Sequence, residues 1–433
     1  MTNYRLLRVN WNEYVKAFDD VLDQMEDPDG ANYDELIEAY YNFGTSYSDT
    51  LTRELSKLGN ETMEVTANAK LFQTRWAKEN GFKYDPEDWI FPIFYKQLET
   101  FKPDILYIQG VNDPKWFHLF EKDFRERFPF IKALVGYAGW PFEDKNIANL
   151  DAIIACGPNL RTHFASQRVR SFLVYHGIDL RLVERLETRR KNDGQMNAET
   201  TDFGFYGITG FGFQSGHYTR YWELVHLLLS TSLEVWGYER QGHNKEDVWE
   251  LQHTVNVGPQ LTQLIKQLRE SSAGAPIDQI VDVLRGVMKK MLGHDLPIIR
   301  LAEMFPDRVH EPLFGQDMME AISRTKVTLN RHTDAMNGFA GNMRLFEATA
   351  AGTCLLTDNC INLGDLFEAD KEVVTFSSPD EAAEKVRYLL DHEKERAAIA
   401  EAGRQRVLKD HTLQQRCGEI NQILIKTLMR GSK

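Results

Sequence analysis

Residues 327–358, VTLNRHTDAMNGFAGNMRLFEATAAGTCLLTD, hold the side chains best suited to chemistry in this chain. Arg344 and Glu347 stand three apart, which on a helix puts them on one face. An arginine fork matches phosphate oxygens. A carboxylate about one turn deeper, about 5 Å along the axis, can accept both hydroxyls of a ribose. Asn342 reads as an N-cap, so the unsatisfied N–H groups of the next turn would face the preceding loop and attract an anion. In that loop Gly338 and Gly341 let the backbone approach a ligand closely. Two histidines are further candidates: His332, ahead of the glycine loop, and His217, in the separate glycine-rich stretch 210–217 with Gly212. Each could meet a phosphate or a sugar, or could be an ordinary loop histidine satisfied by its neighbours. The chemistry indicated is the holding of a sugar nucleotide. The competing reading is that a helix Arg/Glu pair is a solvated ion pair.

These residues need a strand, a loop, a helix and a second strand to position them. The apolar run 327–330 reads as the first buried strand, Gly352 as the stop after the helix, and 353–357 as the strand that follows. The same rhythm runs through most of the chain. Short apolar stretches at 6–9, 61–66, 105–109, 131–137, 152–156 and 171–175 alternate with helical patterns. Others follow at 203–207 and 233–236. Such alternation predicts an α/β protein of two doubly wound, Rossmann-like domains, with ligands beyond the carboxyl ends of the strands. We expect a first domain over 1–185, a charged linker over 186–201 and a second domain over 202–412. A helical insertion is expected at about 240–312, and a final helix over 413–433 that could pack back on the first domain.

The 433 residues exceed what one ordinary core organises. A net charge of −13 argues against a nucleic-acid surface. No apolar run is long enough to span a bilayer, and the N-terminal residues lack a signal-peptide core, so a cytoplasmic location is expected. The 4 cysteines, Cys156, Cys354, Cys360 and Cys417, lie without metal-ligand spacing and read as buried thiols. The acidic triplet Asp27-Pro28-Asp29 sits in a Pro/Gly turn rather than at a strand end, so it reads as a solvated turn. No metal or cofactor is expected. The first half is rich in aromatic rings, which suit sugar stacking but more often build a core.

The string Asn342, Arg344, Phe346, Glu347, Ala350, Gly352, then Leu356, Thr357 and Asp358, resembles the nucleotide-sugar element of group 1 glycosyltransferases with the GT-B fold. In particular it is similar to their CgeB-like, spore-maturation branch. The likeness continues through Leu366-Phe367, Gly403-Arg404 and His411-Thr412, and back to 203–207, 220–224 and 233–237. The turn His176-Gly177-Ile178-Asp179 resembles the one at which such enzymes leave their first domain. The resemblance implies transfer of a glycosyl unit from a nucleotide sugar to a glycan, protein or small-molecule acceptor. Arg344, Glu347, Gly341, Asn342, Arg220 and Gly212 would hold the donor, with His332, His217 and Glu143 as candidate catalytic groups.

The chain departs from the family pattern at three places. Phe339 stands where many relatives carry a sugar-contacting glutamate, a role left vacant or passed to Asp334, Asn337 or a backbone group. The stretch 207–220 lacks the usual lysine. No acid precedes Pro141, although Glu143 and Asp144 follow it. Two other functions remain open at this level: a nucleotide-sugar 2-epimerase, and a non-catalytic binding or scaffold protein.

Overall fold

A computed structural model of the chain describes residues 3–12, 16–44, 48–192, 200–211, 217–239, 263–267, 276–292 and 299–431. The chain divides into two units. One takes Met1–Glu184, Phe314–Gln316 and Asp410–Lys433, and the other Arg185–Leu313 and Asp317–Lys409.

In the first unit β1 (Arg5–Asn10), β2 (Glu61–Thr66), β3 (Ile105–Gln109), β4 (Ala133–Ala138), β5 (Ala152–Ala155) and β6 (Ser171–Leu173) form a sheet. Its order is β2-β1-β3-β4-β5-β6, and every pairing is parallel. The central strands read ILYIQ, ALVGYA and AIIA and are buried along nearly their whole length. That is what a parallel sheet covered on both faces requires. The helix Tyr33–Phe43 is fixed at both ends, by a capping box between Asn32 and Glu35 and by Gly44 at φ 82°. Its Tyr40 packs against Phe18 and Phe72 with ring centroids 5.3 and 5.8 Å away, so these aromatic residues build core. The last helix, Leu413–Gly431, packs on the helix Thr50–Lys57. Its start is stitched to the His-Gly-Ile-Asp turn: Ile178 N–H donates to the His411 carbonyl at 3.0 Å, and Leu413 N–H to the Ile178 carbonyl at 2.8 Å.

In the second unit β7 (Thr201–Ile208), β8 (Leu233–Tyr238), β9 (Val309–His310), β10 (Thr325–Asn330), β11 (Cys354–Asp358) and β12 (Val374–Phe376) make the other sheet. The order β12-β11-β10-β7-β8-β9 is again all parallel. Connections run one way from β7 and the other way from β10, so the topological switch lies between these two strands. The helix Met343–Ala351 joins β10 to β11 and ends at Gly352, whose φ of 85° is cheap for a residue without Cβ.

Two stretches differ from expectation. The helix Leu180–Asn192 runs through the first part of the charged segment expected as linker. Leu182, Val183 and Leu186 form a short buried stripe beneath the charges, and Arg190 donates to the Ala351 carbonyl at 2.9 Å. Residues 193–199 lie outside the described residues. The described parts of the 240–312 segment do not stand apart as a subdomain. Ile280, Val281 and Leu284 of the helix Ile277–Leu292 enter the same core as Leu224, Val225 and Leu228 of the helix Tyr218–Ser230. The sheet resumes at β9, inside the range expected to be inserted. A helix with one buried stripe serves equally well as a layer of the main core or as a separate subdomain, and only tertiary packing distinguishes them.

No helix among the described residues is long and apolar enough to cross a membrane. All four cysteines are free thiols and buried. Burial pushes Cys156 and Cys354 up to about 12, which keeps them protonated and unreactive.

Candidate functional site

The candidate site lies in the second unit, at the carboxyl ends of β7, β10 and β11. Asn342 occupies the N-cap position of the helix Met343–Ala351 with the extended backbone of a cap (φ −77°, ψ 158°), but its side chain makes no capping bond. The amide turns instead to Asn330 at the end of β10. Asn342 Nδ2 donates to Asn330 Oδ1 at 2.6 Å, and Asn330 Nδ2 donates to Asn342 Oδ1 at 3.3 Å. The expected side-chain cap is therefore absent, and the first-turn N–H groups are left to other acceptors.

On the same helix Arg344 and Glu347 meet, Nη1 donating to Oε2 at 2.8 Å. Arg344 Nε donates to the Tyr206 carbonyl in β7 at 3.0 Å, and its Nη2 reaches the Met318 sulfur. A guanidinium has five N–H donors; three are engaged here and hold its plane, so two remain for a phosphate. Glu347 is 8% exposed, and Gly341 is buried just before the cap. The structure thus brings Gly341, Asn342, Arg344 and Glu347 together on one loop and one helix face.

Arg220 departs from the expected phosphate contact. It is buried, Nη1 donates to the Ile208 carbonyl at 3.0 Å, and Nη2 donates to the Arg331 carbonyl. These carbonyls follow or end β7 and β10, so Arg220 bridges the switch point. Burial pulls its pKa down to about 10, a shift that nearby Asp358 opposes. Beside it, burial and the Arg220 charge lower His217 to about 3, which makes His217 a neutral imidazole and a poor acid. Gly212 lies outside the described residues. The helix Tyr218–Ser230 does not offer an open N-terminus, because Asp334 Oδ2 accepts its Thr219 N–H at 3.0 Å. Asp334 is thereby committed to a cap across the chain. Asn337 is exposed, with its backbone left-handed at φ 49°.

His332 is 1% exposed and belongs to a cluster that sequence reading missed. Its backbone N–H and Nδ1 both meet Asp358 Oδ1, at 2.9 and 2.8 Å. Asp358 Oδ2 accepts Arg331 Nη1 at 2.7 Å, and Arg331 Nε donates to Glu223 at 2.5 Å. Burial alone would raise the Asp358 carboxyl, but His332 and Arg331 hold it well below the usual carboxylate range. Glu223 is instead raised, burial outweighing Arg331. His332 Nε2 is buried and has no hydrogen-bond partner among the described residues.

Cys360 Sγ lies 3.3 Å from the same His332 Nδ1, so Cys360 and Asp358 share one nitrogen rather than flanking the ring as a nucleophile triad does. His332, Asp358 and Cys360 are close enough to hold a metal ion. The Arg331 guanidinium already pairs with Asp358 at 2.7 Å, and its positive charge opposes a cation there. The visible signal for this cluster was polar residues at strand ends: Arg331-His332 just past β10 and Asp358 ending β11.

Glu143 belongs to the first unit, exposed in the loop after β4. That loop is tied down through the Phe142 carbonyl, which accepts Gln167 Nε2 at 3.0 Å. Asp179 of the His-Gly-Ile-Asp turn accepts Ser48 Oγ at 2.6 Å, Thr50 Oγ1 at 2.8 Å and Arg181 Nη2 at 2.7 Å. It therefore serves as a structural junction. Arg8 and Glu64 are register partners on β1 and β2 and form a buried ion pair at 2.9 Å, with Thr52 as a further donor.

Residues 281–422 match the model of a family described as glycosyl transferase-like. No curated protein matches the chain. Among solved structures, a glycosyltransferase from Rickettsia africae is similar over 99% of this chain and 99% of its own, at 10% identity and a TM-score of 0.54. Sucrose-phosphate synthase from Thermosynechococcus elongatus is similar over 99% and 100%, at 9% identity and 0.52. HepE from Anabaena, in complex with UDP-glucose, is similar over 98% and 100%, at 13% identity and 0.51. At such identities the likeness is one of fold: two Rossmann-like α/β domains as in GT-B glycosyltransferases.

Proposed function

We propose that this protein is a glycosyltransferase that takes a sugar from a nucleotide-sugar donor, with the diphosphate at the N-terminus of the helix Met343–Ala351. The observation that carries the reading is the open first turn of that helix, with Arg344 and Glu347 on one face beside the switch point. The family match over 281–422 contains all of these residues and supports it. As the bond from C1 to the leaving diphosphate breaks, positive charge spreads over the sugar ring and negative charge gathers on the phosphate. Preorganised donors must meet that negative charge. The first-turn amides and Arg344 would supply them in place of a metal, while Glu347 would accept the ribose hydroxyls.

The motif Asn342-x-Arg344-x-Phe346-Glu347 followed by Leu356-Thr357-Asp358 favours the CgeB-like branch. HepE was crystallised with UDP-glucose, which makes UDP-hexoses the first donors to try. The test is a thermal-shift screen of UDP, GDP, CDP, ADP, dTDP and their common sugars, followed by product analysis with the donor that binds. A ligand held only by the folded state raises the midpoint with the logarithm of its concentration. A selective shift followed by sugar release or transfer would support the proposal. Binding followed by isomerisation of the sugar at C2 would replace transfer with epimerisation, and no shift with any nucleotide would end the reading.

A further inference from the structure

We infer that Asn330 is a positioning residue for the nucleotide: it holds the Asn342 side chain off the helix terminus, so that the first-turn N–H groups stay available to the diphosphate. The inference rests on the nucleotide-sugar reading above.

The argument starts from a residue that should cap and does not. Asparagine is among the best N-cap residues, its side-chain oxygen accepting an N–H two or three positions on. Asn342 already has the backbone that such a cap uses. Asn32 and Ser378, of the same class and with the same extended backbone, do cap: Asn32 accepts Glu35 N–H at 3.0 Å, and Ser378 accepts Glu381 N–H at 3.2 Å. At Asn342 the oxygen is taken by Asn330 Nδ2 at 3.3 Å and the nitrogen by Asn330 Oδ1 at 2.6 Å. Such a two-point amide pair fixes orientation as well as distance.

Asn330 is itself clamped. It is 1% exposed, and its Nδ2 also donates at 3.0 Å to Thr357 Oγ1 on the adjacent strand. Asn330 and Thr357 are register partners across β10 and β11. The restraint on Asn342 is therefore anchored in two paired strands of the sheet. A side-chain cap and a phosphate would compete for the same amides, those of Arg344 and Leu345. Giving up the cap keeps this terminus open where the sheet topology favours a ligand.

The test uses the full-length protein and whichever of UDP, GDP, CDP, ADP and dTDP binds most tightly in calorimetry. Asn330→Ser is too short to reach the Asn342 amide and keeps a small polar group in the buried position beside Thr357. It frees Asn342 to cap, and nucleotide affinity should fall about fivefold, the worth of a typical asparagine cap. Adding Asn342→Ala removes the competing cap and should return affinity toward the wild-type value, which a merely structural defect would not do. Hydrogen exchange without nucleotide supplies the second readout: the Arg344 and Leu345 amides should be more protected in Asn330→Ser than in the wild type. If the wild type binds but Asn330→Ser binds equally well, or the double variant recovers nothing, the positioning role is overturned and the nucleotide reading stands. If the wild type binds none of the five, both fall together.

Discussion

Arg344 and Glu347 are bound to each other, guanidinium to carboxylate at 2.8 Å, and Arg344 is also pinned to the Tyr206 carbonyl of β7 at 3.0 Å. Two anchors at right positions on its fork hold the guanidinium plane relative to the helix terminus. A flexible surface arginine would have to lose side-chain freedom on meeting a phosphate, whereas this one is already ordered.

Arg344→Ala should therefore weaken nucleoside diphosphate binding by about 1.5–3 kcal/mol, the value of a charge-assisted hydrogen bond. Calorimetric titration of wild type and variant measures it directly. Equal affinities would remove Arg344 from the site.

Glu347→Gln keeps the shape and one acceptor oxygen but loses the charge that favours two hydroxyl donors. Preference for ribose over 2′-deoxyribose nucleotides should shrink, while affinity for the deoxy form changes little. Competition between UDP and dUDP reads this out, and an equal loss for both would count against contact with the ribose.

Gly403 lies in the helix Glu393–Asp410, where an added Cβ would stand 2.2 Å from the Glu372 carbonyl oxygen. Alanine normally favours a helix over glycine by about 1 kcal/mol. Here the backbone clash reverses the sign, and Gly403→Ala should destabilise the protein by about 1–3 kcal/mol. Urea unfolding checks it, and a more stable variant would show that the two segments separate easily.

Glu239, at the end of β8, accepts the Leu301 N–H at 2.6 Å. Burial pushes its carboxyl up to about 7. In the unfolded chain the same group loses its proton near the ordinary glutamate value of about 4.3. Between those two values the folded state binds the proton more tightly, so stability falls as pH rises through the window and levels off above it. Glu239→Gln retains the acceptor oxygen without the charge. It should flatten this decline and be the more stable protein at pH 8 by about 1–3 kcal/mol. Unfolding midpoints at pH 5, 6, 7 and 8 give the comparison, and a difference that does not grow with pH would rule Glu239 out as its source.

The parallel α/β sheets are legible in the amino-acid sequence alone, because runs such as ILYIQ and ALVGYA suit strands buried on both faces. So are the helix from 343 to its glycine stop and the shared face of Arg344 and Glu347, since both follow from local geometry and a fixed helical period. Where the side-chain hydrogen bonds go depends instead on how the elements pack. Asn342 is a good cap by type but pairs with Asn330, a residue twelve positions earlier on a neighbouring strand. Arg220 suits a phosphate by type but spends its terminal nitrogens on two carbonyls at the switch point. Asp334, Asp358 and Arg331 find partners that adjacency in the chain does not reveal. The physical reason is that backbone periodicity is a local property, whereas a buried polar group must take its partner from whatever the fold brings within about 3 Å.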